Sequence, residues 1–230
     1  MSGIIAEIPE FFSYYNVIFL GKAFLYTTAM SFVGCTVGFA AGFGLAVMRH
    51  ERIFRSFVLR WLAIIYTEIF RRIPFLVKLM CVFFAFQLLG ADVSMFTVAV
   101  TTVALSAAAF ASENVRAGLE SVHHNQWDAA EAMNLGGLTA LRRVVLPQAW
   151  RVIIPPSMTY SVGLVKSTSI ASQIGVLELT YAAKVMTNKG FSAFLCYGTI
   201  LVLYFVLCFS LNRFAAWLEE RLDPTRHRAA

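Results

Sequence analysis

Residues 23–48 read AFLYTTAMSFVGCTVGFAAGFGLAVM, with no Asp, Glu, Lys or Arg, and the run ends at Arg49. That is long enough to cross about 30 Å of hydrocarbon as a helix. Backbone crossing lipid has to satisfy its own hydrogen bonds, which favours helix for such a segment. Two further uncharged runs, residues 93–112 and 190–212, repeat the pattern. Residues 61–91 and 152–177 are also apolar but interrupted. Glu68, Arg71, Arg72 and Lys78 break the first, and Pro155, Pro156 and Lys166 mark the second. Together these segments predict an all-α integral membrane protein with five transmembrane helices.

Working outward, the whole chain agrees. Of its 230 residues 59% are hydrophobic and 14% charged, and the mean hydropathy is +0.69. Soluble domains run nearer roughly half apolar and a quarter charged. So large an excess does not fit inside the core of a domain this size, which excludes an ordinary soluble enzyme, a disordered tail and a nucleic-acid-binding domain. The net charge of +6 reports topology instead. With five spans, one side collects Arg49, Arg52, Arg55, Arg60, Arg116, Arg142, Arg143, Arg151, Arg213, Arg221, Arg226 and Arg228. The other side has only Lys22, Lys184 and Lys189. Positive residues stay in the cytoplasm, so the N-terminus is expected outside and the C-terminus in the cytoplasm.

Several features are read as structural. Cys35, Cys81, Cys196 and Cys208 stand apart in apolar runs without zinc-ligand spacing. His50, His123, His124 and His227 match no metal template, so no metal is expected. Glu7 and Glu10 precede the first run where a signal peptide would be basic, and none is expected. The aromatic residues at 11–15 are read as interfacial anchors. Gly34, Gly38, Gly42 and Gly44 predict close packing of the first helix.

The longest polar connection, residues 113–151, contains a short helix with readable ends. Asn125 is its expected N-cap, with Asp128 reaching back, and Gly136 its expected left-handed C-cap. Asp128 and Glu131 suit the positive end of the helix dipole. Thr139 is expected to cap a second helix that runs until Pro147. Trp127, Ala129, Ala130, Ala132, Met133 and Leu135 give this loop more apolar surface than a linker needs, which points to a docking site for a partner groove.

The stretch Asp128-Ala129-Ala130-Glu131-Ala132, then Gly136, then Leu146-Pro147, resembles the EAA loop of ABC importer permeases. The first position is Asp128 where glutamate is usual, which keeps the charge and shortens the reach. Residues 68–74, EIFRRIP, and 166–176, KSTSIASQIGV, are similar to two further elements of the polar amino-acid uptake subfamily, the histidine/glutamine/glutamate permeases. Ser167 departs from that pattern, where an acid or amide is common. The likeness covers about residues 23–218. It implies a type I permease fold, residues 1–230 forming one permease domain with 113–151 as its cytoplasmic coupling loop. It also implies a second permease subunit, the same or homologous, two cytoplasmic ATPase subunits and an extracytoplasmic amino-acid-binding protein. The setting would be a bacterial inner membrane, crossed by alternating access. No catalytic set is found, and residues 163–168 fail the phosphate-loop pattern, which needs glycine where Val165 and Tyr160 stand. ATP and magnesium are therefore expected on the ATPase partners and no cofactor on this chain.

A cation within a span is costly, about 2.5–3.5 kcal/mol on insertion scales, and should face a polar path or a partner. Glu68, Arg71, Arg72, Lys166, Ser167, Thr168 and Ser169 are accordingly the candidate substrate pathway. Pro74 is expected to break its helix, and broken helices are where transporters place substrate contacts. No carboxylate lies between residues 152 and 177, which favours a zwitterionic or acidic amino acid over a basic one. The alternative reading is a stand-alone secondary transporter or channel with Lys166 and Glu68 as a gated pair.

Overall fold

The computed structural model describes residues 2–54 and 56–222, and these are helical without a strand. Arg55, Arg226, His227 and Arg228 lie outside the described residues. The elements are α1 (Ser2–Phe11), α2 (Tyr14–Arg49), α3 (Phe57–Arg72), α4 (Phe75–Leu88), α5 (Met95–Ser121), α6 (His124–Ala132), α7 (Gly137–Ala140), α8 (Leu146–Ser167), α9 (Leu179–Asn188) and α10 (Ala193–Leu222). A π-helical turn, Leu141–Val145, precedes α8, and a 3₁₀ segment, Thr168–Ile174, follows it. Among the described residues three helices, α2, α5 and α10, are long and apolar enough to cross a membrane.

The interrupted segments show how sequence breaks a helix. Residues 61–91 divide at Ile73, which is extended at φ −82° and ψ 133°. The cause is local: proline disfavours helical geometry in the residue before it. Pro74 then begins α4 without needing the N–H it lacks. The expected break is therefore observed, and it leaves helices of 16 and 14 residues. Pro155 and Pro156, by contrast, sit inside α8. The second apolar segment ends at Gly175, whose φ of 79° suits glycine.

The chain gathers into two compact units. The first comprises the residues up to Gly34 with Pro74–Val103 and Val162–Leu211. Its core joins Phe11, Leu20 and Ala23 to Leu179, Ala182, Met186, Cys196 and Ile200. Phe11 is buried edge-on against Phe191, so it is a core residue, whereas Tyr14 and Tyr15 are exposed as anchors should be. A Cβ on Gly34 would lie 2.5 Å from the Val103 side chain.

The second unit comprises Cys35–Ile73, Ala104–Ser161 and the residues from Asn212 on. Here the backbone of α2 meets α5 with almost nothing between them. A Cβ on Gly38 would come within 2.4 Å of Ala107 Cβ, and one on Gly42 within 2.4 Å of the Ala108 carbonyl. Small residues at four-residue spacing permit this approach. Gly44 meets nothing and takes no part in it. The core below runs through Ala46, Val115, Leu119, Trp127, Ala130, Leu141, Val145 and Ile153.

Candidate coupling helix and substrate path

The polar connection starts later than its charges suggest, because Glu113, Asn114 and Arg116 belong to the last turns of α5. Helix α6 then starts one residue after His123. That histidine, not Asn125, is the N-cap: its ring accepts from the Asn125 N–H at 3.3 Å. The far end also differs from expectation. Asn134, not Gly136, takes the left-handed conformation, at φ 60°. The Asn134 N–H donates to the Glu131 carbonyl at 2.8 Å and the Leu135 N–H to Ala130 at 3.0 Å. This pair of bonds closes a Schellman motif, in which asparagine is the usual substitute for glycine. Gly136 has an ordinary φ of −62° and caps α7 instead, a role expected of Thr139.

The second helix of the loop does not stop at Pro147. The π turn before it sends the Leu146 N–H back five residues to the Leu141 carbonyl. The widened turn and the missing proline N–H together let α8 begin at Leu146 with Pro147 in its first turn. From Gly137 through the π turn to Ser167 the chain is thus one continuous helical run, separate from α6.

Burial sorts the face of α6. Trp127 and Ala130, three residues apart, point into the core, and Leu135 is half-buried beside them. Asp128, Ala129, Glu131, Ala132 and Met133 are exposed. The outward apolar surface is therefore smaller than the sequence suggests, made of Ala129, Ala132, Met133 and, beyond the helix, Leu138. Gly136 has no atom within 4 Å of where a Cβ would be, whereas one on Gly137 would lie 2.6 Å from the Arg52 carbonyl. Asp128 accepts from Arg52 Nη1 at 2.8 Å, and this guanidinium holds its carboxyl below the usual carboxylate range. His50 stacks on Trp127 with ring centres 4.6 Å apart. Burial, then the charge of Arg52, pushes its pKa below the ordinary histidine value.

The charged residues of α3 join the same unit. Arg72 donates to Glu68 at 2.7 Å, and Arg71 reaches Glu68 at 3.9 Å and Glu113 at 3.7 Å. Glu113 also receives Arg49 at 3.1 Å and Arg116. One carboxylate thus ties the ends of α2 and α3 to α5. Arg71 lies over the Phe110 ring, which stacks on Tyr160. Glu113 was legible only as the first charge after an apolar run, and nothing in its sequence context marks it as a hub.

In the first unit Lys166 and Ser169 share a shallow groove of about 310 Å³ with Thr180, Tyr197, Ile200, Leu201 and Tyr204. Thr168 is buried, its hydroxyl given to the Val165 carbonyl, and Ser167 donates to the Gly163 carbonyl. One further residue escaped sequence reading. Glu178 is fully buried as the N-cap of α9, accepting from the Thr180 and Tyr181 N–H groups at 2.8 and 2.6 Å and from the Tyr204 hydroxyl at 2.8 Å. It stands one position beyond the run in which no carboxylate was found. An acidic residue opening a helix after a glycine stop was the available signal.

Comparison with known proteins gives a consistent set of likenesses. The family described as "Binding-protein-dependent transport system inner membrane component" matches residues 18–224. The probable amino-acid ABC transporter permease protein YckA of Bacillus subtilis (strain 168) is 30% identical over 87% of either chain. The L-cystine transport system permease protein TcyB of the same organism is 36% identical over 72% of this chain and 71% of that one. Among solved structures, that of an amino acid ABC transporter with histidines superposes with a TM-score of 0.81, at 24% identity, covering 95% of this chain and 98% of that one.

Proposed function

This chain belongs to the family of binding-protein-dependent transport system inner membrane components, and from that premise we propose how it works. It is the permease subunit of an ATP-driven ABC importer of amino acids. The observation that carries its mechanism is the two-sided character of α6. Trp127 and Ala130 fasten the helix to its own unit, and Asp128, Ala129, Glu131, Ala132 and Met133 are turned outward. A helix held on one side and offered on the other suits insertion into a groove on an ATPase subunit. ATP and magnesium belong to that partner. Its closure on ATP moves α6, and the loop spanning residues 113–151 passes this movement to the spans.

The five spans are assigned to α2, α3 with α4, α5, α8 and α10. The N-terminus is placed outside and the C-terminus in the cytoplasm of a bacterial inner membrane, on the distribution of arginine. Residues 1–230 act as one permease domain beside a second permease subunit, and an extracytoplasmic binding protein delivers the substrate. The pathway draws on Arg71 with Glu68 and Arg72, and on Lys166 with the polar groups of its groove. No carboxylate lines that groove, and the one behind Tyr204 is already met by three donors. A zwitterionic or acidic amino acid fits such a lining better than a basic one. The rival reading, a free-standing transporter gated by Lys166 and Glu68, lacks a free carboxylate, because Arg72 and Arg71 already hold Glu68.

The test is to purify the tagged chain with its partners, reconstitute them with the binding protein, and assay ATP hydrolysis against each standard amino acid. We expect a co-purifying ATPase stimulated by a neutral or acidic amino acid. Gly136→Trp is expected to leave insertion intact, since the position opens on empty space, and to cut uptake at least about tenfold by blocking the outer face. Best stimulation by arginine or lysine overturns the substrate assignment. Normal uptake by the Gly136 variant overturns the docking face.

A further inference from the structure

The turn between α2 and α3 is tied to the coupling loop by three unlike contacts. Arg52 forms an ion pair with Asp128 at 2.8 Å. The His50 ring lies on Trp127, 4.6 Å between centres and 23° from parallel. Gly137, at the start of α7, meets the Arg52 carbonyl so closely that a Cβ would be only 2.6 Å away. Ile53 adds an apolar contact to the core that holds Trp127 and Ala130. An exposed ion pair alone holds little. Charge, ring stacking and backbone approach acting on one short turn restrict sliding in different directions, and a helix so held cannot shift without the turn.

Residues 50–54 of the turn are anchored to the end of α2 by backbone hydrogen bonds. The Ile53 and Phe54 N–H groups both donate to the His50 carbonyl, at 3.1 and 3.0 Å, and the His50 N–H donates to Val47 of α2 at 3.2 Å. The preceding residue, Arg49, is held by Glu113 of α5. Movement delivered to the turn therefore has α2 as its immediate recipient.

Resting on the reading of α6 as the coupling helix, we propose that Arg52 and His50 are positioning residues that make α6 and the end of α2 move as one body. A push on α6 then reaches the first long apolar helix directly, besides travelling through the chain to α5 and α8. Neither residue belongs to α6 itself, whose outward residues are the ones offered to the ATPase. Their role is to prevent the push from being lost in a slide of α6 over its own support. Such a link is a coupling free energy between two sites, and only a coupling measurement establishes it.

The experiment uses the full reconstituted complex and reads substrate taken up per ATP hydrolysed, together with basal hydrolysis and the amount of ATPase retained. Arg52→Gln and His50→Ala are each expected to lower the uptake ratio fivefold or more, with basal hydrolysis and ATPase retention unchanged. Arg52→Lys, which keeps the charge, and His50→Phe, which keeps the stacking ring, are expected to stay within twofold of the unaltered chain. An unchanged ratio in the Gln and Ala variants overturns the proposal. So does loss of the ATPase from those variants, which would make the residues docking or folding determinants. If the unaltered chain retains no ATPase, the coupling reading itself falls, and that outcome is visible before any variant is made.

Discussion

The two compact units meet the same problem, polar groups among apolar helices, with different chemistry. In the unit that holds α6, carboxylates are answered by arginines: Glu113 by Arg49, Arg71 and Arg116, Glu68 by Arg71 and Arg72, and Asp128 by Arg52. In the other unit the buried Glu178 is answered by two backbone N–H groups and one tyrosine hydroxyl. Some of these arginine pairs stay within one helix, but those of Glu113 with Arg49 and Arg71 join separate helices through long side chains. A carboxylate capping its own helix is local and short, and it fixes one geometry. The difference suggests where the molecule is built to rearrange and where it is built to stay.

Glu113→Gln strikes hardest at this contrast. It leaves three guanidiniums around a neutral amide, and breaking a buried pair costs about 3–5 kcal/mol. The Glu113 side chain keeps 20% exposure, so we expect a loss nearer about 2–3 kcal/mol. Thermal unfolding in detergent should also respond differently to added salt, because screening weakens the Glu113 pairs in the unaltered chain but relieves repulsion among the three unanswered guanidiniums in the variant. Glu178→Gln is expected to cost less, about 1–2 kcal/mol, since the amide oxygen still accepts from some of the donors. Its salt dependence should match that of the unaltered chain. Equal losses with equal salt slopes would erase the distinction between the two regions.

The smallest expected effect is a pH dependence at His50. Burial holds its pKa below the ordinary histidine value, with Arg52 and Arg60 adding to the depression and Glu120 and Glu51 opposing it. A ring that binds its proton less tightly when folded stabilises the folded chain fully above the ordinary range, near about 6.5. That contribution is lost as the pH falls through the depressed value. Unfolding temperature should therefore drop toward acid more steeply for the unaltered chain than for His50→Phe, in which the ring cannot titrate. Parallel curves would show that the stack on Trp127 tolerates a charged imidazole.

The legibility of the fold follows the range of the forces involved. Pro74 breaks a helix because the clash is with its own neighbour, so the break was readable from one residue. The close contact at Gly34, Gly38 and Gly42 was readable as spacing, yet the failure of Gly44 to join depended on where α5 lies. Helix ends were harder. Asn134, Gly136 and Gly137 all tolerate unusual backbone, and the choice among them was settled by the Schellman bonds at one and the Arg52 carbonyl at another. Pro147 misled because its usual effect was absorbed by a π turn of the preceding residues.

What the sequence determined by itself was the membrane class, the break at Pro74 and the family likeness of the stretch from Asp128 to Pro147, whose motif residues lie close together in the chain. Those features depend on uninterrupted apolar length, on clashes between neighbours and on a local pattern. Only the tertiary structure decided that Trp127 and Ala130 are an inner face, that Arg52 belongs to Asp128, and that Glu113 and Glu178 are the carboxylates their surroundings are built on. Those partners are separated along the chain or hidden by burial. Packing brings them together, and no local pattern of charge or hydropathy records which side of a helix will find its neighbour.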